Sequence, residues 1–322
     1  MKQRILTGIQ SSGKLHIGNY FGSMKPNLEL AETHEAFLMI ADLHALTTLR
    51  NAEELRENTF DVALDFLACG LDPEKTTFFR QSAVPEHTEL TWILATLTPL
   101  GMLERAHSFK DKMAKGLDIN AGLFTYPILM ACDILLYDPH FVPVGKDQKQ
   151  HVEMARDIAM KFNAAYGEGF PVLPEPLISE QTGIIPGIDG QKMSKSYRNT
   201  IDIFASEKEL QKQIMSIVTD SKGVADPKDP DTCTVFALAK LFFTADELAD
   251  LRAKYLQGGF GYGDAKKWLF EKVNAYFAPM REKRKHFIEH PERVQNILRL
   301  GNERARGFAK AKMEKIHELV GL

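Results

Sequence analysis

SGKLHIGN, residues 12–19, is the stretch that decides the fold of this chain. It follows the apolar pair Ile5-Leu6 and precedes the aromatic pair Tyr20-Phe21, so it is predicted to form the turn between a first strand and the helix behind it. The glycines at 13 and 18 permit a tight turn, and backbone N–H groups at such a helix start attract phosphate. His16 and Asn19 add side chains that can donate hydrogen bonds to phosphate oxygens. The stretch therefore predicts a phosphate site in an α/β domain.

The rest of the chain supports this fold class. Up to about residue 179, short apolar runs alternate with longer helical stretches, with strands predicted at 4–8, 36–40, 76–79 and 141–144 and helices at 51–69 and 148–162. From about residue 206 onward, helical periodicity dominates, with a loop at 221–232 and a flexible turn at 258–261. We predict a Rossmann-like nucleotide-binding catalytic domain with a parallel sheet at residues 1–197. A mostly helical domain is predicted at residues 198–322, with the option that its last helix packs back on the first domain.

A second motif, KMSKS at residues 192–196, carries two ammonium groups in a predicted loop. Lys192 and Lys195 are suited to neutralise the charge that develops on a leaving pyrophosphate. Together with His16 and Asn19, they predict an ATP site. Lys112, in a polar segment, is a further cation for a triphosphate if that site is real.

A P-loop is the competing interpretation of the first stretch. Residues 8–14 end in the lysine that a P-loop requires, but the next residue is Leu15, where that motif needs a hydroxyl group for magnesium. Residues 37–42 offer an apolar run ending in an aspartate that resembles the acidic magnesium partner of such a site. The leucine makes this interpretation the weaker one.

An apolar segment at residues 126–137 is predicted to be a buried helix, with Pro127 at its first position. Tyr126, Met130 and Asp133 fall on one face of that helix, where they would form a slot for a flat ligand that bears one N–H or O–H group. A buried aspartate needs a donor, so an internal salt bridge is the local alternative for Asp133.

Residues 145–148, Gly-Lys-Asp-Gln, follow the last predicted strand. Ligands in parallel sheets gather beyond the carboxyl ends of strands, so Asp147 or Gln148 is placed to contact a ribose hydroxyl or an amino group. The competing interpretation is that Asp147 only caps the following helix, in a capping-box variant with Gln150.

Composition limits the class of protein. The chain has 322 residues, a net charge of −3 and three cysteines without a metal-binding spacing. No apolar run approaches membrane-spanning length and no signal-peptide core follows the basic start, so we expect a soluble cytoplasmic protein with no membrane contact and no bound metal of its own. The net charge hides a local excess, because residues 265–322 hold fourteen Lys and Arg against seven Asp and Glu.

The motifs at 16–19 and 192–196 resemble those of the class I aminoacyl-tRNA synthetases. Further residues resemble the tryptophanyl-tRNA synthetases in particular: GL at 122–123, YP at 126–127, LMACDIL at 129–135, VPVGKDQKQH at 142–151, RDIA at 156–159, FN at 162–163 and VTDS at 218–221. The resemblance covers essentially the whole chain, and it implies activation of L-tryptophan with Mg²⁺-ATP and transfer of tryptophan to tRNA(Trp). It also implies a homodimer.

The resemblance implies a role for each site residue. It implies that Asp133 accepts a hydrogen bond from the indole N–H of tryptophan and that Tyr126 and Met130 line the slot for the ring. It also implies that Gln148 holds the amino group of tryptophan. The residues that would promote catalysis are His16, Asn19, Lys112, Lys192 and Lys195. Contacts to ATP would come from Gln10, Ser11, Ser12, Gly18, Asn19, Gly145, Lys146, Asp147, Ile185, Lys192, Met193, Ser194, Lys195 and Ser196.

Three other classes compete with this interpretation. A tyrosyl-tRNA synthetase would use a buried aspartate for a phenolic O–H, although residues 148–151 match the tryptophan enzyme better. A nucleotidylyltransferase of the same superfamily would not need so long a basic helical domain, and an RNA-binding protein without activity would not need complete ATP motifs.

The basic C-terminal region is the predicted tRNA surface, because the family reads the anticodon in the helical domain after residue 196. Two groups of basic residues carry this prediction, one on each side of residue 290. They are Arg281, Lys283, Arg284 and Lys285, and, on a final helix with the apolar stripe Ala309, Met313, Ile316 and Val320, Arg304, Arg306, Lys310, Lys312 and Lys315.

Overall fold

The chain forms two compact units. The computed structural model describes residues 2–11, 13–106, 120–178 and 185–322. Unit 1 consists of Met1–Gly13, Pro26–Ser179 and His290–Leu322, and unit 2 of Lys14–Lys25 and Glu180–Glu289. This division differs from the predicted boundary after residue 197, because unit 2 begins at Glu180 and also includes the early segment Lys14–Lys25. The C-terminal segment belongs to unit 1, which is the option predicted for the last helix.

Unit 1 is built on a five-stranded parallel sheet with the order β3-β2-β1-β4-β5. Its strands are β1 Arg4–Gln10, β2 Glu35–Ala41, β3 Thr76–Arg80, β4 Phe141–Pro143 and β5 Glu175–Leu177. Four of these strands and the parallel arrangement were predicted within a few residues, so the predicted Rossmann-like fold is confirmed. Strand β5 was not predicted, because three residues with a central proline give no apolar alternation.

Helices make up most of the remaining described chain. In chain order they are α1 Ile17–Asn19, α2 Lys25–Thr33, α3 Asp42–Ala45, α4 Ala52–Ala68, α5 Glu86–Ala95, α6 Leu100–Glu104, α7 Ala121–Leu135, α8 Lys149–Tyr166, α9 Glu207–Met215, α10 Thr234–Ala239, α11 Ala245–Gln257, α12 Tyr262–Glu289 and α13 Pro291–Val320. A π-helical segment, Tyr20–Met24, joins α1 to α2, and short 3₁₀ turns lie at Gln81–Ala83, Lys146–Gln148 and Lys195–Tyr197.

Helix α13 completes the core of unit 1. It packs along β3, and the carbonyl of Phe78 lies so close to Gly301 that a Cβ there would be 1.7 Å from the oxygen. The Asn302 side chain accepts a hydrogen bond from the Arg80 N–H at 2.9 Å, which satisfies a donor on this edge strand. Met313 and Ile316 are buried in the same core cluster as Phe37 of β2.

Unit 2 has an aromatic core that explains why residues 14–25 belong to it. Tyr20 packs edge-on against Phe277 with ring centroids 5.2 Å apart, and Phe21 packs in the same way against Phe242 at 5.3 Å. Both partners lie in the helical segment after residue 206. The aromatic pair that follows the first motif therefore anchors that motif in unit 2.

The observed start of helix α7 shows that the predicted position of Pro127 is wrong. The helix begins five residues earlier than predicted, where the Asn120 side chain caps it by accepting from the Leu123 N–H at 2.9 Å. Pro127 therefore lies inside the helix and not at its first position. The asparagine cap is a local signal that outweighs the preference of proline for helix starts.

Candidate functional site

The two motifs predicted to bind ATP meet within unit 2. The Gly18 N–H lies 3.3 Å from the Met193 sulfur, and the Ile17 N–H donates to the Ile201 carbonyl at 3.0 Å. A Cβ at Gly18 would lie 3.0 Å from the His16 ring and 3.2 Å from Met193 Cβ, so only glycine fits without displacement. The motifs that the sequence predicted to act together are thus neighbours in the folded unit.

His16 caps the first turn of the helix. Its Nδ1 accepts from the Asn19 N–H at 3.3 Å, and the Asn19 side chain reaches back to the His16 N–H. Burial and the nearby Lys195 ammonium lower the pKa of His16 from 6.5 to about 4. The ring is neutral at pH 7, so the cap occupies Nδ1 as an acceptor and Nε2–H remains the donor. Leu15 stands where a P-loop needs a hydroxyl group, and the helix that follows is capped by the His16 side chain, so the P-loop interpretation stays the weaker one.

Asn199 holds the loop that carries Lys192 and Lys195. This side chain is fully buried, accepts from the Ser194 N–H at 2.8 Å and donates to the Lys192 carbonyl at 3.1 Å. It also donates to Asp189 Oδ1 at 2.8 Å. The Met193 N–H donates to the Ile185 carbonyl at 2.9 Å, and the Met193 side chain is buried. The loop backbone is therefore fixed on both sides of Met193.

The sheet of unit 1 brings other predicted ATP residues to one edge. Gln10 and Ser11 end β1, and the segment from Gly145 to Asp147 follows its neighbour β4, so both groups lie at the carboxyl edge where the strand order reverses. Ser11 is buried and accepts from the Thr59 hydroxyl at 3.1 Å. A Cβ at Gly145 would lie 2.6 Å from Asp147 Oδ1, so a larger residue there would displace the Asp147 side chain.

The capping interpretation of Asp147 is wrong. The N-cap position of α8 is Gln148, and no side chain caps this helix. Asp147 lies in the preceding 3₁₀ turn, where its Oδ2 accepts from Gln148 Nε2 at 3.0 Å. The extra 3₁₀ turn moves the helix start past the residue that could have capped it.

Asp133 accepts three hydrogen bonds in the core of unit 1. The donors are His44 Nε2 at 2.7 Å, Gln81 Nε2 at 2.7 Å and His87 Nδ1 at 2.6 Å. Burial by itself raises the pKa of Asp133, but the hydrogen bonds from His44 and His87 lower it more, and the result is about 2, below the ordinary 3.8. The aspartate therefore has internal donors, as the local alternative predicted, and stays ionised.

The partners of Asp133 leave one acceptor position. Oδ1 receives Gln81 and His87, whereas Oδ2 receives only His44 among the described residues. A carboxylate oxygen offers about two lone pairs, so Oδ2 can accept one more donor on the side of His44. The His44 ring lies edge-on to Tyr126, with centroids 6.0 Å apart.

Tyr126 and Met130, the other predicted slot residues, are half-buried on α7 together with the buried Asp133. The Tyr126 hydroxyl lies 2.9 Å from His151 Nε2. A cavity of about 230 Å³ in unit 1 is lined by Tyr126 and Leu129 but by neither Met130 nor Asp133, so it is not the predicted slot.

Sequence reasoning missed the donors of Asp133. His44 lies in the short helix α3 directly after β2, and Gln81 lies in the 3₁₀ turn directly after β3. Parallel sheets gather ligands at such places, so the two positions were a usable signal. His87 lies on α5 and carried no such signal. Two predicted residues, Ser12 and Lys112, lie outside the described residues.

The protein residues predicted to bind tRNA differ in their exposure and in their bonding partners. Arg281 donates to the Ile203 and Asn274 carbonyls within unit 2, while Lys283 and Lys285 are exposed. On α13, Lys312 is buried and bound to Asp138, and Arg306 pairs with Glu86. Arg281, Arg306 and Lys312 therefore have structural partners and are poor candidates for phosphate contacts.

Comparison with known proteins places this architecture in a family. The model for class I tRNA synthetases of the tryptophan and tyrosine type matches residues 1–278. The chain is 55% identical to the tryptophan–tRNA ligase of Fusobacterium nucleatum, over 99% of this chain and 98% of that protein. It is 52% identical to the same ligase of Rhodopirellula baltica, over 99% of each chain.

A solved structure agrees with these sequences. The tryptophanyl-tRNA synthetase of Campylobacter jejuni, complexed with ADP and tryptophan, superposes with a TM-score of 0.95 at 53% identity and covers 99% of this chain and 100% of its own. The chain therefore belongs to the class I tRNA synthetases, and within them to the tryptophanyl-tRNA synthetase family. No helix among the described residues is long and apolar enough to cross a membrane.

Proposed function

We propose that this protein is a tryptophan–tRNA ligase. In the first step the carboxylate of L-tryptophan attacks the α-phosphorus of Mg²⁺-ATP, which forms tryptophanyl-adenylate and releases pyrophosphate. In the second step the 2′-hydroxyl of the terminal adenosine of tRNA(Trp) attacks the activated carbonyl and releases AMP. Sequence identity of 52–55% to tryptophan–tRNA ligases over 99% of this chain supports this assignment over a tyrosine-specific enzyme.

The single observation that carries the proposal is the state of Asp133. It is ionised and buried, and it has one acceptor position left on Oδ2 among the described residues. An indole N–H is a donor that can occupy that position while Tyr126 and Met130 line the ring. Gln148 is assigned to the amino group of tryptophan. A ligand without the N–H would leave a buried acceptor unpaired, which is a strong basis for discrimination.

Amino-acid-dependent exchange between ATP and pyrophosphate tests the function, because only the activating amino acid supports it. We expect exchange with tryptophan among all twenty amino acids, and a response to tyrosine alone would reassign the enzyme. Asp133→Ala should weaken the use of tryptophan and spare the KM for ATP. Unchanged catalytic efficiency with tryptophan in this variant would remove Asp133 from the site.

The ATP roles of the motif residues follow from their chemistry. Gln10 ends β1, and Ser11 and Gly145–Asp147 follow strands of unit 1. Gly18, Ile185 and the 192–196 loop belong to unit 2. Because no protein nucleophile is required, catalysis is positioning and charge stabilisation by His16, Asn19, Lys192 and Lys195, with Lys112 as a further cation. Mg²⁺ enters with ATP as part of the substrate.

Lys195 is the residue whose role kinetics can separate. It lies in the loop whose ammonium groups are suited to the leaving pyrophosphate, so Lys195→Ala should slow adenylate formation more than it weakens ATP binding. Single-turnover measurements distinguish the two. An unchanged chemical rate with weaker ATP binding would make Lys195 a binding residue only.

A homodimer is the proposed assembly. Trp92, on helix α5 of unit 1, is 75% exposed to solvent, and Leu100, nearby in the chain, is 67% exposed. Large apolar side chains in that position favour a self-complementary interface. Sedimentation of Trp92→Glu should show a monomer, whereas Leu256→Glu, at a 55% exposed position of unit 2, should leave the wild-type mass. A dimeric Trp92→Glu variant would place the interface elsewhere. No disulfide joins the three cysteines in the described part of the chain, and a reducing cytoplasm is the proposed location.

A further inference from the structure

One hydrogen bond of the Asp133 network, from His87, goes to Oδ1, which is not the oxygen proposed to accept from the ligand. His87 has no exposed side-chain surface, and its two ring nitrogens have different partners. Nδ1 lies 2.6 Å from Asp133 Oδ1, and Nε2 lies 2.9 Å from the Tyr137 hydroxyl. Phe79 stacks on the His87 ring with centroids 6.3 Å apart.

The chemistry of the two partners fixes the proton on His87. An ionised carboxylate only accepts, so Nδ1 must carry the proton. Burial and the negative charges of Asp133 and Glu86 raise the pKa of Tyr137, so the phenol keeps its proton and can donate to Nε2. Two hydrogen bonds then run in the same direction. The Tyr137 hydroxyl donates to His87 Nε2, and His87 Nδ1–H donates to Asp133 Oδ1.

We propose that Tyr137 and His87 are positioning residues for tryptophan selection. The Tyr137 hydroxyl holds neutral His87 in the tautomer with hydrogen on Nδ1. His87 and Gln81 then occupy both lone pairs of Asp133 Oδ1, so that only Oδ2 accepts the ring N–H of the substrate. This inference rests on the proposed role of Asp133 and adds the residues that decide which of its oxygens is available.

The opposite tautomer shows why the hydroxyl matters. With hydrogen on Nε2, the Nδ1 lone pair would face the Asp133 carboxylate at hydrogen-bonding distance and repel it. The carboxylate would then rotate, or Oδ1 would become available to a ligand, and the geometry at Oδ2 would be lost. Without the Tyr137 donor, Asp133 still favours hydrogen on Nδ1, but the buried Nε2 loses its partner and the productive form of the ring loses part of its stabilisation.

Tyr137→Phe removes only the hydroxyl and keeps the ring in the core. We expect the KM for tryptophan in ATP–pyrophosphate exchange to rise about tenfold, with kcat and the KM for ATP close to wild type. For a sulfur analogue of tryptophan, in which S replaces the ring N–H, the KM should change little. The discrimination between tryptophan and this analogue should therefore fall by about the same factor. Tyr255→Phe, which deletes another buried phenol in unit 2, is the matched control and should change neither.

His87→Asn provides the rescue. Its side-chain amide nitrogen is attached to Cγ, as Nδ1 is, and it donates to Asp133 in only one form. Discrimination should therefore persist in His87→Asn, and Tyr137→Phe added to it should have no further effect on discrimination. Additive losses in the double variant would contradict the proposal.

Nitrogen-15 NMR of the histidine rings tests the tautomer directly in the wild-type enzyme, with His87 assigned from its absence in His87→Asn. A neutral ring with hydrogen on Nδ1 is the expected result. An imidazolium or hydrogen on Nε2 overturns the proposal, even if Tyr137→Phe does not fold. So does a folded Tyr137→Phe variant with wild-type KM and discrimination.

Asp133→Asn separates this inference from the proposed site. If Asp133→Asn loses discrimination and Tyr137→Phe retains it, the positioning role alone is wrong. If Asp133→Asn retains discrimination, Asp133 does not receive the ring N–H, and both proposals fail.

Discussion

The Gly18 N–H lies 3.3 Å from the sulfur of Met193, a residue 175 positions later in the chain. This contact joins the two motifs proposed to bind ATP inside unit 2 and places the His16 ring beside the loop that carries Lys195. The Met193 side chain occupies part of the space that a Cβ at Gly18 would need. The glycine is therefore required by packing as well as by the turn.

Gly18→Ala should disturb this contact. The new methyl would lie 3.0 Å from His16 Nδ1 and 3.2 Å from Met193 Cβ, so one of them must shift. Such overpacking costs about 1–3 kcal/mol, and the rate of adenylate formation should fall because His16 and the loop move apart. Urea unfolding and single-turnover kinetics check both effects. Gly22→Ala, where a Cβ meets nothing within 4 Å, is the control.

Asn199→Ala should lower the rate of adenylate formation. The substitution removes the hydrogen bonds to the Ser194 N–H and the Lys192 carbonyl, so the two loop lysines lose their fixed backbone. The free energy of unfolding should also decrease by about 1–3 kcal/mol, since a buried N–H loses its acceptor.

Asn163→Ala is the matched control for this loop. The Asn163 side chain also bridges two backbone groups, the N–H and the carbonyl of Phe170, but in unit 1 away from the loop. It should reduce stability and leave the single-turnover rate unchanged. Equal kinetic losses in the two variants would show that general destabilisation, and not the loop, explains Asn199.

His16 should make stability depend on pH in a defined window. Its pKa is about 4 in the folded protein against 6.5 for an ordinary histidine, so the unfolded chain binds a proton between these values that the folded chain does not. The free energy of unfolding should therefore fall as the pH decreases from about 6.5 to about 4. His16→Gln lacks this term, so the wild type should lose more stability than the variant over that window. Urea titrations at several pH values measure the difference, with exposed His286→Gln as control; parallel curves for wild type and His16→Gln contradict the assignment.

Neutralising Lys283 and Lys285 together should weaken tRNA binding and flatten its salt dependence, because fewer counterions are released. Arg281 is left intact because its hydrogen bonds to the Ile203 and Asn274 carbonyls hold unit 2 together. Tryptophan activation without tRNA should stay at the wild-type level. A control pair, Lys2 and Lys161 in unit 1, should leave the salt slope unchanged. If the slope of the Lys283 and Lys285 variant equals that of the control, these lysines do not contact tRNA.

The sequence predicted the sheet and both motifs because those features are local. Short apolar runs, glycine turns and lysine loops each leave a signal within a few residues, as at Ile5-Leu6 and at 192–196. The packing of Tyr20 and Phe21 left no such signal, since an aromatic pair looks the same whichever unit buries it. The 197/198 boundary therefore missed the early crossing of the chain into unit 2.

The internal partners of the site were harder to predict for the same reason. Asp133 was recognisable as an anomaly in an apolar helix, but its donors come from residues 44, 81 and 87, and only tertiary contact selects them. Asn199 gave no signal before its hydrogen bonds to the loop were visible. The fixed roles of Arg281, Arg306 and Lys312 were likewise invisible in a count of charges.

Helix α13 has a consequence for how this protein is made. It is synthesised long after β3, yet it covers β3 through Gly301 and Asn302 and adds Met313 and Ile316 to the core of unit 1. Strand β3 therefore stays uncovered until α13 has been made, and release of the chain before that point leaves an open sheet edge. A chain truncated before Pro291 should therefore be insoluble.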